Sequence, residues 1–172
     1  MRDLLQAESH PLIAGGGVFL ALMGAGIIAG GLFPLRRRWL LGASFLVASV
    51  TTSLVARSLA APFGAPTRLQ VAVLVAAVVV EVVVIQLMVP RLSPRGERTV
   101  TLGVLAVVGA HFLPMVVAFG PVVGLLGLVT IGNAAVGLWV APQISLRIFW
   151  VIDGGLKLTC GLVMVSALAI AA

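Results

Sequence analysis

The chain has 172 residues, 61% of them hydrophobic and 9% charged, with a mean hydropathy of +1.24 and a formal charge of +6. Soluble domains are nearer half apolar and a quarter charged, and a globule this small exposes too much of its area to hide so much apolar surface. The composition excludes a separate soluble catalytic domain, a nucleic-acid module and a long regulatory tail, and it makes lipid the expected solvent. At about 20 apolar residues per span, six spanning helices use roughly 120 residues and leave about 50 for tails and loops.

The first eleven residues carry Arg2, Asp3 and Glu8. They lack the basic n-region of a signal peptide, so the first apolar run is expected to be retained as a span. Proline, glycine and arginine then punctuate six runs. Span one covers about 12–33 and ends at Pro34 and Arg36-Arg37-Arg38. Span two covers about 39–61, before Pro62 and Pro66. Span three covers about 69–89 and is expected to end at Pro90. A polar loop from Arg91 to Arg98 leads to span four, about 99–119. Gly120-Pro121 turns the chain into span five, about 122–141, which ends at Pro142. Span six covers about 146–169. The stretch 71–84 is nearly all Val and Ala, and in lipid a helix satisfies its own backbone groups where a lone strand cannot. The predicted fold is all-α: a single transmembrane domain, a six-helix bundle with short loops.

Charge orients this bundle. Arg36, Arg37, Arg38, Arg91, Arg95, Arg98 and Arg147 fall on one side of the predicted membrane, against Arg2, Arg57 and Arg68 on the other. The arginine-rich side is expected to be cytoplasmic, with both termini outside, in a cell membrane such as a bacterial inner membrane. The partner implied is the bilayer and not nucleic acid. Span one also carries Gly17, Ala21, Ala25 and Ala29 at four-residue steps, beside Gly26 and Gly30. Small residues on one face let helices approach closely, either within the bundle or in a homo-oligomer.

Polar residues inside the spans are the informative ones, because a charge at that depth costs about 2.5–3.5 kcal/mol on insertion scales. They are Glu81 in span three, His111 in span four, Asn133 in span five, and Asp153 and Lys157 in span six. At 1.5 Å rise per residue, Glu81, His111, Asn133 and Lys157 each fall within about 3 Å of the predicted midplane. Asp153 lies about one turn nearer the arginine-rich side. Asp153 and Lys157, four apart, share a helix face and are expected to pair. Glu81 has no partner on its own helix; facing Lys157 or His111 it could ionise. Pro114 is the proline that interrupts a span, and its missing N–H is expected to kink the helix and free the carbonyl of Ala110 beside His111. A kinked helix lining a polar cavity marks a candidate solute path. The single cysteine, Cys160, sits in an apolar run and reads as a small packing residue.

Two resemblances follow from these residues. His-Phe-Leu-Pro at 111–114 and Asp153-Gly154-Gly155-Leu156-Lys157 resemble motifs of small multi-pass bacterial membrane proteins grouped as domains of unknown function. That resemblance covers the whole chain and implies the architecture without an activity. The Asp-x-x-x-Lys of the last span is similar, over about a dozen residues, to the retinal-binding helix of microbial rhodopsins. It implies retinal on Lys157 with Asp153 in its counter-ion. The chain departs from that family in having six predicted spans and not seven, no Tyr and only three Trp. No cofactor is therefore expected, with retinal on Lys157 as the alternative. The chain carries no H-E-x-x-H or G-x-S-x-G motif, so an enzyme is the less favoured class. The favoured reading is a small transporter or channel-like protein with a polar midplane site. The alternative is a non-transporting membrane subunit, assembly factor or sensor whose in-span polar residues are structural.

Overall fold

A computed structural model describes residues 10–60 and 64–166, with the side chains of 56–60 excepted. Expectations that rest on Arg2, Pro62, the Arg57 side chain or the end of span six lie outside the described residues. Those residues form α1 (Ile13–Leu32), α2 (Arg37–Ala60), α3 (Arg68–Leu92), α4 (Glu97–Phe112), the single turn α5 (Val116–Phe119), α6 (Pro121–Ala135) and α7 (Leu146–Val165). A π-helical turn, Val136–Val140, extends α6. Among the described residues there is no strand.

Among the described residues five segments are long and apolar enough to cross a membrane: Ile13–Leu32, Pro34–Val55, Arg68–Arg95, Pro121–Val140 and Leu146–Val165. Predicted span four is the exception. Its helix stops at Phe112 after 16 residues and resumes at Val116 for 4. The cause is Pro114, which cannot donate to Ala110. The Ala110 carbonyl is not left free, contrary to expectation. It accepts from the Leu113 N–H at 3.1 Å, a tighter i→i+3 bond that closes the helix.

Pro90 corrects the sequence reading in the other direction. It lies inside α3, which continues to Leu92. One missing N–H so near the end leaves only the Gln86 carbonyl without its helical donor. Neighbouring carbonyls gain side-chain donors: Arg91 Nη1 donates to Leu87 O, and Ser93 Oγ donates to Val89 O at 2.8 Å. The chain turns at Gly96, whose φ of 94° is the left-handed geometry that suits glycine. At its other end α3 starts with a capping box. The Thr67 hydroxyl accepts from Gln70 N–H, and the Gln70 side chain accepts from Thr67 N–H.

Helix α1 is central, packed on one side by α2 and on the other by α7; α7 meets α6, α6 meets α4, and α4 meets α3. The α1–α7 contact is backbone-close. A Cβ on Gly17 would lie 2.7 Å from the Gly161 carbonyl oxygen, and one on Gly154 would lie 2.8 Å from that of Gly24. Gly26 faces Ser44 and Gly30 faces Arg37 across the α1–α2 contact. Ala25 is exposed. One core joins Leu20 of α1, Ala77 of α3, Phe112 of α4, Met115, Leu126 of α6, and Cys160 and Met164 of α7. By contrast α2 and α3 turn large apolar side chains outward, among them Leu54 (79% exposed) and Val80 (59%).

Candidate functional site

Helical period places the in-span polar residues. On α3, Leu74 and Ala77 pack into the core, and Glu81, one turn on, continues that stripe. On α4, His111 adjoins the buried Phe112. On α7, Phe149, Asp153, Lys157, Cys160 and Met164 are buried along one face.

Asp153 and Lys157 pair as expected. Lys157 Nζ donates to Asp153 Oδ1, and the two residues are 2% and 4% exposed. The ammonium also lies 5.8 Å from the centre of the Phe112 ring, within cation–π range. His111 stacks on that same ring, with centroids 4.3 Å apart and planes tilted by 35°. His111 Nδ1 is 2.6 Å from the Val108 carbonyl oxygen. A carbonyl only accepts, so Nδ1 carries the hydrogen and donates it there. This leaves Nε2 as the nitrogen that can gain or lose a proton. Glu81 Oε2 lies 3.5 Å from Nδ1 on the neighbouring helix. Lys157 is near enough to both Glu81 and His111 to act on them electrostatically.

Four of the five sequence-predicted site residues therefore form one neighbourhood, drawn from α3, α4 and α7. Asn133 is placed differently. Its side-chain amide donates to the Phe149 carbonyl at 3.1 Å, one turn before Asp153, and so ties α6 to α7. Pro114 lines the same groove as Glu81 and His111. That groove, about 390 Å³, lies between α3 and α4 and is otherwise walled by Val and Ala. Among the described residues there is no group of three or more His, Cys, Asp or Glu side chains that could hold a metal ion.

The chain matches, over residues 15–169, a family described as a family of unknown function, DUF6609. The chain belongs to that family. The match agrees with the resemblance to a domain of unknown function, and it assigns no activity. No curated protein and no solved structure matches the chain.

Arg98 is a residue whose part sequence reasoning missed. Counted as a loop charge, it lies in the first turn of α4 and reaches across to the end of α6. In the π-turn the Ala141 N–H bonds to Val136 O at 2.8 Å, not to Gly137 O. The Gly137 carbonyl thus orphaned accepts from Arg98 Nε at 3.1 Å and Nη2 at 2.8 Å. The same guanidinium donates to Ala141 O and Ile144 O, and it sits 5.3 Å from the Phe149 ring centre. Nearby, Arg37 contacts Glu97 at 3.5 Å and lies over the Trp150 ring at 5.0 Å. The α1–α2, α3–α4 and α6–α7 connections thus meet at one end of the bundle. The local sequence carries no signal for this, because carbonyl partners leave no residue-type trace.

Proposed function

We propose that this chain is a six-span integral membrane protein that moves a small solute in exchange for, or together with, protons, and that the groove between α3 and α4 is its site. The observation that carries this is the pairing of Glu81 with His111 across two helices, at 3.5 Å, on the wall of a groove of about 390 Å³. Ionisable groups in apolar spans are expensive, and facing a cavity is the usual setting in which they relay protons. Glu81 and His111 Nε2 are the exchanging groups. Asp153 and Lys157 cancel one another and set the local field from behind Phe112.

The sixth span is the broken one. Its 16-residue part is about 24 Å long at 1.5 Å per residue. That falls short of a hydrocarbon core of about 30 Å, and the turn Val116–Phe119 supplies the remaining depth. The arginine-rich end then faces the cytoplasm.

The test is reconstitution into liposomes loaded with a pH-sensitive dye. Proton flux under an imposed gradient is expected from the native chain. Glu81→Gln and His111→Ala are expected to lower it at least ten-fold. Absence of flux from the native chain, or equal flux from Glu81→Gln, overturns the proposal. A second reading, a membrane subunit with no transport activity, is favoured by one observation. Asp153, Lys157 and Asn133 all find partners inside the bundle. Stoichiometric co-purification of a specific membrane partner, with no flux, would establish it.

A further inference from the structure

We propose that the α3–α4 groove takes a lipophilic amine carrying a single short hydrocarbon chain, which enters sideways from the membrane. This rests on the reading of the groove as a membrane site, and it names the ligand class. Three observations lead there.

The first is shape. At about 390 Å³ the groove is near the lower end of the range for small-molecule sites, roughly 300–1,000 Å³, so one chain or a small ring fits and a two-chain lipid does not. The second is its walls. Val73, Val80 and Val84 recur along one side of α3 at helical spacing, with Val107 opposite on α4. Val80 is 59% exposed and Val84 38%, so the outer lip is itself apolar and open to the side. Hydrocarbon can pass it without meeting a polar group.

The third observation is charge. The groups that act on Glu81 are His111 from α4 and Lys157 from α7; Asp153 and Cys160 act on Lys157 in turn. The Lys157 ammonium is already answered by Asp153. The His111 Nδ1 hydrogen is spent on Val108 O. Glu81 remains, with its one polar contact among the described residues a 3.5 Å approach to that same Nδ1. A carboxylate has room for about four donors, and a primary ammonium offers three. A cationic head therefore completes the site. A carboxylate head would face Glu81 as a like charge, and a hydroxyl would satisfy it only in part.

The test uses the full-length chain in phosphatidylcholine nanodiscs, with calorimetric titration of octylamine, octanol and octanoate against empty nanodiscs. These probes share one chain and differ in the head. Octylamine is expected to bind the protein at least ten-fold more tightly than octanol, with octanoate weakest. Glu81→Gln is expected to lose at least ten-fold in octylamine affinity. Ala110→Phe, which fills the groove and leaves the carboxyl in place, is expected to lose as much. It keeps the test decisive should Glu81→Gln fail to fold. Equal binding of octanol or octanoate overturns the proposal, as does unchanged octylamine binding by either folded variant. Octylamine binding without proton flux would defeat the transport reading and leave this one standing. Glu81-dependent flux without octylamine binding would do the reverse.

Discussion

Asp153 and Lys157 neutralise each other within one helical turn, buried at 2% and 4% exposure. Removing one partner strands the other, which costs about 3–5 kcal/mol for a buried pair, whereas replacing both by apolar residues of similar volume is often neutral. Lys157→Met and Asp153→Leu are each expected to lower thermal stability in detergent sharply. The double variant is expected to recover most of the loss. A double variant as unstable as either single one would show that the pair does more than cancel its own charge. Residues of this kind are legible in a sequence because a charge in an apolar run has no cheap explanation. Their partners are legible only when they are side chains. The i,i+4 spacing announces Asp153–Lys157, and a shared depth announces Glu81–His111. The carbonyls held by His111, Asn133 and Arg98 do not show, since every residue type carries one.

Two adjacent glycines divide the roles of α7. A Cβ on Gly154 would lie 2.8 Å from Gly24 O and from Ile28 N, both backbone atoms of α1; one on Gly155 would meet nothing within 4 Å. Gly154→Ala must therefore push two helices apart, at a cost of about 1–3 kcal/mol. Gly155→Ala only improves helix propensity, by up to about 1 kcal/mol. Opposite signs in a thermal-shift comparison are expected, and equal effects would refute the close α1–α7 contact. The small-residue stripe read in span one pointed to tight packing. Its four-residue spacing includes Gly17 and Ala21, which meet α7 at Gly161, and misses Gly24, seven residues after Gly17, which meets α7 at Gly154. The helix ends were legible where proline stands outside a helix. They were misread at Pro90, because a helix near its end has few bonds left to lose.

At the scale of the molecule, chain order predicts the segments well and their neighbours poorly. Helix α1 packs against α7, the other end of the sequence, and hydrophobicity alone carries no such pairing. The proposed orientation is tested by fusing alkaline phosphatase after Ala172, and by fusing green fluorescent protein after Arg95 of a truncated chain. Both reporters are expected to be active, which places the C-terminus outside and the α3–α4 connection in the cytoplasm. An inactive phosphatase would reverse the topology or remove a span. The Asp153–Lys157 pair and the Glu81–His111 contact also differ in how each is assembled along the chain. The α7 pair is assembled within a single helix, so in the proposed membrane placement that segment inserts alone, already electrically balanced. Glu81 meets His111 only once α4 has been made, and just four residues, Ser93–Gly96, separate the end of α3 from the start of α4. In the proposed membrane placement the two segments enter the bilayer together as a hairpin, and lengthening that short connection would delay the moment at which Glu81 and His111 meet.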